Sequence, residues 1–474
     1  MVAGELATRT DARILLIEAG SPAPPVPRRP AEYLSSFDGD LDWALKTTKQ
    51  TALAGRALQW PRGRGVGGSS LINAMIWCPP SDADLQTLVD HAGTTWNIES
   101  LRADLRGVEA LVQPETPRWL SEAGRRFLQA AGSLAKTLEG EPCVYRRANR
   151  LGRRRTAGDL LQEAIRRRSQ AGRDAAIQII SATVESIVWD GDRAAGVRFQ
   201  RDEAGAPEIA TSRHGVVICA GTIHSPAILM RSGIGPAELL DDRSIPLRVA
   251  CEEVGANLAD HLIMPVIWST PAETRFPTDW SVSDLARWTH GGTGPIASNL
   301  AEVGGFFSLT TPINQAVVNG EVSHVQFHVT PTDYLRHPDP AAPAAITIGV
   351  TDCAPRSRGR VTLRDPHPHS SPSIEPNYLA EPRDMATLIA AVRFARRFAE
   401  ESPLAGWCGP ERFPGSKRQE DHELGRAVAR YAQTLYHPVG TCRLGTDRRA
   451  VVTPDFRVRG TESLWVCDAS VLPT

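Results

Sequence analysis

The chain has 474 residues, 41% hydrophobic and 23% charged, enough for a sizeable core and for one two-part enzyme or two to three ordinary domains. Its 53 Lys and Arg balance 54 Asp and Glu to a net charge of -1, which argues against nucleic acid or an anionic membrane surface as a partner. Eight cysteines without a CxxC pair argue against a zinc site and a dense disulfide framework. With no run of about 18 apolar residues and no leader of signal-peptide type, a cytoplasmic protein with no metal and no integral membrane segment is expected.

Residues 3–10 read as the tail of a helix. Residues 12–18, Ala-Arg-Ile-Leu-Leu-Ile-Glu, read as a buried parallel strand ending in an acid ahead of Ala19-Gly20. Together they look like the second half of a βαβ unit, in which the closing acid, Glu18, accepts hydrogen bonds from the ribose hydroxyls of a dinucleotide. The GxGxxG that precedes such a strand is absent: with Gly4 as its third glycine, the first falls ahead of Met1. An ordinary buried strand accounts for the segment equally well.

The stretch Pro61-Arg62-Gly63-Arg64-Gly65-Val66-Gly67-Gly68-Ser69-Ser70-Leu71-Ile72-Asn73-Ala74-Met75 can set backbone N–H groups against an anion while Arg64 supplies charge; a plain glycine turn is the alternative. The arginines between 146 and 155 read as a solvated connection rather than a phosphate patch. Periodicity predicts helices over 157–168 and 385–400 and strands over 176–180, 184–189, 195–199 and 214–219. Ser225-Pro226 suggests a helix start, with Ser as N-cap and Pro at the first position. A polar loop, Glu253 to His261, follows.

Between about 262 and 425 the texture changes to alternating strands such as His324-Val325-Gln326-Phe327-His328-Val329 broken by Pro-rich loops, as in an antiparallel domain inserted into a discontinuous one. His324 and His328 share a face of that strand. Asp365-Pro366-His367-Pro368-His369 reads as a surface loop rather than a metal site. In Tyr436-His437-Pro438-Val439-Gly440, a neutral imidazole is a candidate general base, and a structural histidine is the alternative.

In order and spacing these segments, with Leu464 to Leu472 at the end, resemble the glucose-methanol-choline (GMC) oxidoreductases over residues 3–474. Gly67-Gly68-Ser69-Ser70-Leu71-Ile72-Asn73 looks like the first family signature, and residues 221–236 resemble the second. The resemblance implies an α/β fold of mixed α+β character. A Rossmann-like FAD-binding domain would comprise residues 1–261 and 426–474, with an antiparallel-sheet substrate domain over 262–425.

The resemblance also implies FAD as cofactor. Glu18 would meet a ribose, Gly67, Gly68, Asn73, Ala74, Met75 and Ile76 would run along the pyrophosphate and flavin, Val184 would offer its backbone to adenine, and Asp468 and Ala469 would lie near the ribityl chain. His437 would take the hydroxyl proton of a small-molecule alcohol while hydride leaves for flavin N5. His328 is a second candidate on the substrate side, with a satisfied sheet histidine as its alternative. The electron acceptor (O2, a quinone or a protein carrier) is left open.

Three departures from the family are expected: the missing GxGxxG, a missing His or Asn partner of His437 beyond Thr474, and a shortened stretch between about 110 and 150. The first two together support a rival reading, a truncated, catalytically impaired scaffold that binds a ligand or partner. An NAD-dependent dehydrogenase fits less well, because the His437 and Asp468 segments follow the flavin pattern.

Overall fold

A computed structural model describes residues 1–134, 140–172, 177–309 and 323–473. Ala176, the expected start of a strand, and Thr474 lie outside the described residues. The aliphatic run Ile14–Glu18 forms a strand paired in parallel with Ile177–Ser181, Glu18 standing opposite Ser181. The preceding helix, Val2–Arg9, packs on Ala157–Gln170, where Gly4 approaches Ala164, and Arg168 donates to the carbonyls of Ala7 and Thr10 at its end. A second parallel pair joins Val216–Ile218 to Leu464–Val466. Thr183–Asp190, Arg193–Gln200 and Glu208–Thr211 make an antiparallel meander beside them.

The other half is built on an antiparallel seven-stranded sheet in the order Glu411–Phe413, Leu262–Ser269, Ala345–Asp352, Ser323–Thr330, Val303–Leu309, Gly140–Val144, with Gln433–Thr434 also against Leu262–Ser269. Its first and last contributions in the chain, Gly140–Val144 and Gln433–Thr434, come from outside residues 262–425. Alternation along Ser323–Thr330 sorts the two faces. Val325, Phe327 and Val329 are at most 1% exposed and pack with the helices Glu122–Leu134 and Pro382–Ala399, where Phe127, Phe307, Phe327, Phe394 and Phe398 form one ring cluster. Truncating one such ring costs about 3–5 kcal/mol. Gln326, His328 and Thr330 point to the opposite face.

Two expectations are corrected. The helix carrying Ser225-Pro226 runs Gly221–Arg231 and so starts ahead of Ser225, leaving Pro226 inside it. Pro226 has no N–H for the carbonyl of Thr222, and the Thr441 hydroxyl donates to that carbonyl instead at 2.6 Å. Ser225 is no cap: its hydroxyl accepts from the Ala220 N–H and donates to Asp468.

The arginine run is solvated only in part: Arg150 is exposed, but three others are not. Arg147, Arg154 and Arg155 are 3%, 2% and 7% exposed and donate to carbonyls of Ala297, Ser70 and Val112. Burial pushes Arg147 and Arg154 down to about 10. Among the described residues no helix is long and apolar enough to cross a membrane.

Candidate active site

The end of the Ile14–Glu18 strand carries its acid into a tight junction with the glycine-rich stretch. Glu18 Oε1 accepts from the N–H of Gly20 at 3.0 Å and of Gly65 at 3.1 Å. A Cβ on Gly20 would stand 2.5 Å from the Arg64 carbonyl carbon, so only glycine permits this approach. Ala182 donates to the Glu18 carbonyl at 2.9 Å, which brings Val184 to the same corner. Arg64 is exposed and lies over the Trp43 ring at 5.1 Å, and Trp43 in turn packs on His224.

Gly67 and Gly68 turn with φ of 121° and 53°, and space opens beyond Gly68, where a Cβ would meet nothing within 4 Å. Asn73 Oδ1 accepts from the Met75 N–H at 3.1 Å and from Arg154 at 3.0 Å, holding Met75 in a left-handed turn with φ of 60°. The Ala74 carbonyl accepts from Asn299, the Met75 carbonyl from Ala148, and Ile76 pairs with Arg147. The stretch from Asn73 to Ile76 is thus held from three sides.

Asp468 gathers the ends of three elements. Oδ2 accepts from the Gly221 N–H at 2.9 Å and from Ser225 at 2.5 Å, and Oδ1 accepts from the Ser470 N–H at 2.8 Å. Ala469 follows, exposed, at the start of a short 3-10 turn. The helix opened by Gly221 is tied to the His437 segment by Thr222, which donates to the Pro438 carbonyl at 2.7 Å.

His437 meets two further histidines. Its ring stands edge-on to His261 at 5.7 Å, and His328 lies close enough for its charge to be felt by His437, as that of His261 is felt by His328. His437 is exposed at the surface, yet protein atoms crowd its ring on the remaining sides. That enclosure, then His261, His328 and Arg62, pushes its pKa down to about 3, so the imidazole is neutral and able to accept a proton. His328 is 6% exposed, lies 5.6 Å from the Tyr145 ring, and is pushed down to about 4 by burial and His261. Its Nε2 and the Nδ1 of His261 have no hydrogen-bond partner among the described residues.

These residues fit a bound dinucleotide. Glu18 Oε2 has no partner among the described residues, and a Cβ at Gly68 or Gly221 would project into open space, both at glycines with positive φ. Arg154 Nε and Nη2 have no partner among the described residues, beside the Ser70 to Asn73 turn. The sequence reading missed Arg154, Asn299 and His261. Only the last had a visible signal, its place beside Asp260 in the polar loop. The expected residues fall into two groups joined through backbone contacts, Glu18, Arg64, Gly67, Gly68 and Val184 at one end and His437 with His328 at the other. No direct contact between these two groups is present among the described residues.

The sequence profile of the GMC oxidoreductases matches residues 16–263 and 355–474. An uncharacterised GMC-type oxidoreductase of Mycobacterium tuberculosis is 32% identical over all of this chain and 92% of its own. The alcohol dehydrogenase [acceptor] of Pseudomonas putida is 29% identical, over 100% of this chain and 89% of its own. Among solved structures, pyridoxine 4-oxidase from Mesorbium loti superposes with a TM-score of 0.81 at 26% identity over 99% of this chain and 92% of its own. Aspergillus oryzae formate oxidase shares the fold at a TM-score of 0.83 and 22% identity, over 100% and 91% of the two chains. The chain therefore belongs to the GMC oxidoreductases and is an FAD-dependent alcohol oxidoreductase by that membership.

Proposed function

We propose that the protein oxidises the CH–OH group of a small-molecule alcohol to a carbonyl, with His437 as the general base. The observation that carries this reading is the exposed His437, its imidazole unprotonated at neutral pH and edge-on to His261 at 5.7 Å. Its ring nitrogen, unprotonated at neutral pH, takes the hydroxyl proton as the carbinol carbon gives up hydride. Bound FAD supplies the hydride acceptor. His328 and His261 stand beside it, with buried ring nitrogens that have no hydrogen-bond partner among the described residues.

In this reading Glu18 holds a ribose, and Arg64, Gly67, Gly68 and the stretch Asn73, Ala74, Met75 and Ile76 run along the pyrophosphate and flavin. Val184 meets adenine through its backbone, and Asp468 with Ala469 supports the ribityl end. Because the Asp468 carboxylate already accepts three protein donors, its part is to shape the backbone around the cofactor. Residues 1–261 with 426–474 serve the cofactor and 262–425 the substrate. The eight free cysteines suit a reducing cytoplasm.

Relatives differ in the acceptor their names imply, one being an alcohol dehydrogenase [acceptor] and another an oxygen-dependent choline dehydrogenase of Yersinia pestis. The test is to load the chain with FAD and add 1-butanol, benzyl alcohol, pyridoxine or choline without oxygen. Loss of the oxidised-flavin absorption band with one of them, and not with His437→Ala, is the expected result. Equal bleaching in the variant would remove His437 from the role. Readmitting O2 or a quinone then identifies the acceptor.

A further inference from the structure

We infer that Asp260 is a positioning residue that clamps the turn carrying His437; the inference rests on the reading of His437 as the base. The segment around Asp260 runs antiparallel to the segment around His437. Ala259 and Val439 exchange both backbone hydrogen bonds, at 3.1 and 2.9 Å, and the Leu435 N–H donates to the His261 carbonyl at 2.9 Å. Between these fixed points the ladder opens. Residues 436–438 arch away, and the arch would leave its amides without acceptors.

Asp260 fills that gap with its side chain. It is 6% exposed, and Oδ1 accepts from the backbone N–H of His437 at 2.8 Å. Oδ2 accepts from the Thr434 hydroxyl at 2.7 Å and from the Tyr378 hydroxyl. The Thr434 oxygen in turn accepts from the Tyr436 N–H at 2.8 Å. One carboxylate therefore holds the amide of His437 directly and that of Tyr436 through a hydroxyl relay. Trp60 Nε1 donates to Tyr378 at 3.1 Å, and the Tyr378 phenol, raised well above its ordinary pKa by burial and then Asp260, stays protonated as a donor.

What the clamp resists is visible in the backbone. Tyr436 has φ of 68°, a left-handed conformation that a bulky residue adopts only when its surroundings impose it. Arg62 donates to the Tyr436 carbonyl at 2.6 Å from the other side. With both its amide and its carbonyl claimed, Tyr436 is held in this conformation and fixes the place of the His437 backbone. None of these contacts touches the His437 ring, so Asp260 acts through the backbone.

Two readouts test this, one independent of turnover. In Asp260→Asn and Thr434→Val, hydrogen–deuterium exchange of a peptide covering residues 435–440, measured on the FAD-free chain, is expected to accelerate at least tenfold. Thr434→Ser is expected to restore protection. With FAD and the alcohol that bleaches the wild type, kcat is expected to fall tenfold to a hundredfold, since a misplacement of about 1 Å can cost 10²-fold. KM should stay within threefold and the FAD content per chain should not change.

In a His437→Ala background the same Asp260→Asn change should alter the residual rate by less than twofold, because its effect passes through His437. Unchanged exchange protection in both variants would overturn the clamp. So would full kcat in Asp260→Asn when His437→Ala is inactive, or an equal loss in the two backgrounds. If Asp260→Asn does not fold, the Thr434 pair decides. Retained turnover in His437→Ala would remove the base instead, and the exchange result alone would then decide whether the clamp exists.

Discussion

Replacing His328 with Phe should flatten the pH dependence of stability. His328 is 6% exposed on the inner strand Ser323–Thr330, and burial followed by the neighbouring His261 pushes its pKa from 6.5 to about 4. The folded chain then binds fewer protons than the unfolded one between those two values, so its stabilising effect is complete above pH 6.5 and is lost as the pH falls toward 4. From pH 7.5 to 5.0 the folded ring stays neutral while the unfolded one becomes protonated roughly 30 to 1, which is worth about 2 kcal/mol. Asp352, raised to about 6 by burial, works in the opposite direction across the same window, so the wild-type slope alone decides nothing. The difference between wild type and His328→Phe cancels Asp352 and His224, whose shifts do not involve His328. Phe preserves the contact with Tyr145 and carries no proton. At about 2.1 cal/mol/K per residue, a chain of this size converts 2 kcal/mol to about 2 °C. Calorimetry of the FAD-free protein should therefore show a Tm drop between pH 7.5 and 5.0 that is about 2 °C smaller in the variant. Equal drops would refute the argument, because His328 would then take up its proton in place.

His437→Ala should lower kcat by about 10² to 10⁴ with FAD content unchanged, as removal of a general base does. In the wild type, with the His437 pKa at about 3, kcat/KM should stay level from pH 8 down to about 5, and a fall centred between pH 6 and 7 would contradict a neutral base. Glu18→Gln should raise the FAD dissociation constant on the order of tenfold to a hundredfold, from charge-assisted hydrogen bonds worth about 1.5–3 kcal/mol, read by quenching of flavin fluorescence. An unchanged constant would remove Glu18 from the cofactor site. Arg154→Met should lower Tm by about 1–3 °C, since the Ser70 carbonyl and Asn73 Oδ1 each lose a buried donor, a loss worth about 1–3 kcal/mol in all. An unaltered Tm would show that the glycine-rich turn keeps its shape without this side chain.

Where a segment declares itself through its own letters, the sequence reading and the structure agree. The aliphatic run before Glu18 is a parallel strand, and the His324 to Val329 alternation is a two-faced strand with Phe327 on one side and His328 on the other. The failures share a different cause: each depends on a backbone group far away in the chain. Ser225-Pro226 has every local mark of a helix start, and it is overruled because Thr441 satisfies the Thr222 carbonyl, 219 residues before it, that Pro226 cannot. The arginines at 147, 154 and 155 look solvated because their acceptors are main-chain oxygens of Ala297, Ser70 and Val112, which no residue type announces. Gly140–Val144 joins the large sheet although Gly-Glu-Pro-Cys-Val has no alternation, since an edge strand needs only one neighbour, here Val303–Leu309.

The histidine site shows both cases in one place. His437 could be proposed from the sequence because imidazole is itself a candidate for the chemistry. Asp260 could not, because a carboxylate whose task is to hold an amide 177 residues further on has no distinguishing spacing, and its polar loop reads as ordinary surface. A base is recognisable by its kind, whereas what aims it is recognisable only by its geometry. In this fold the aiming belongs to a buried acid, a threonine hydroxyl and a tyrosine held at a φ of 68°. Substitutions that spare every imidazole can therefore still disable the site.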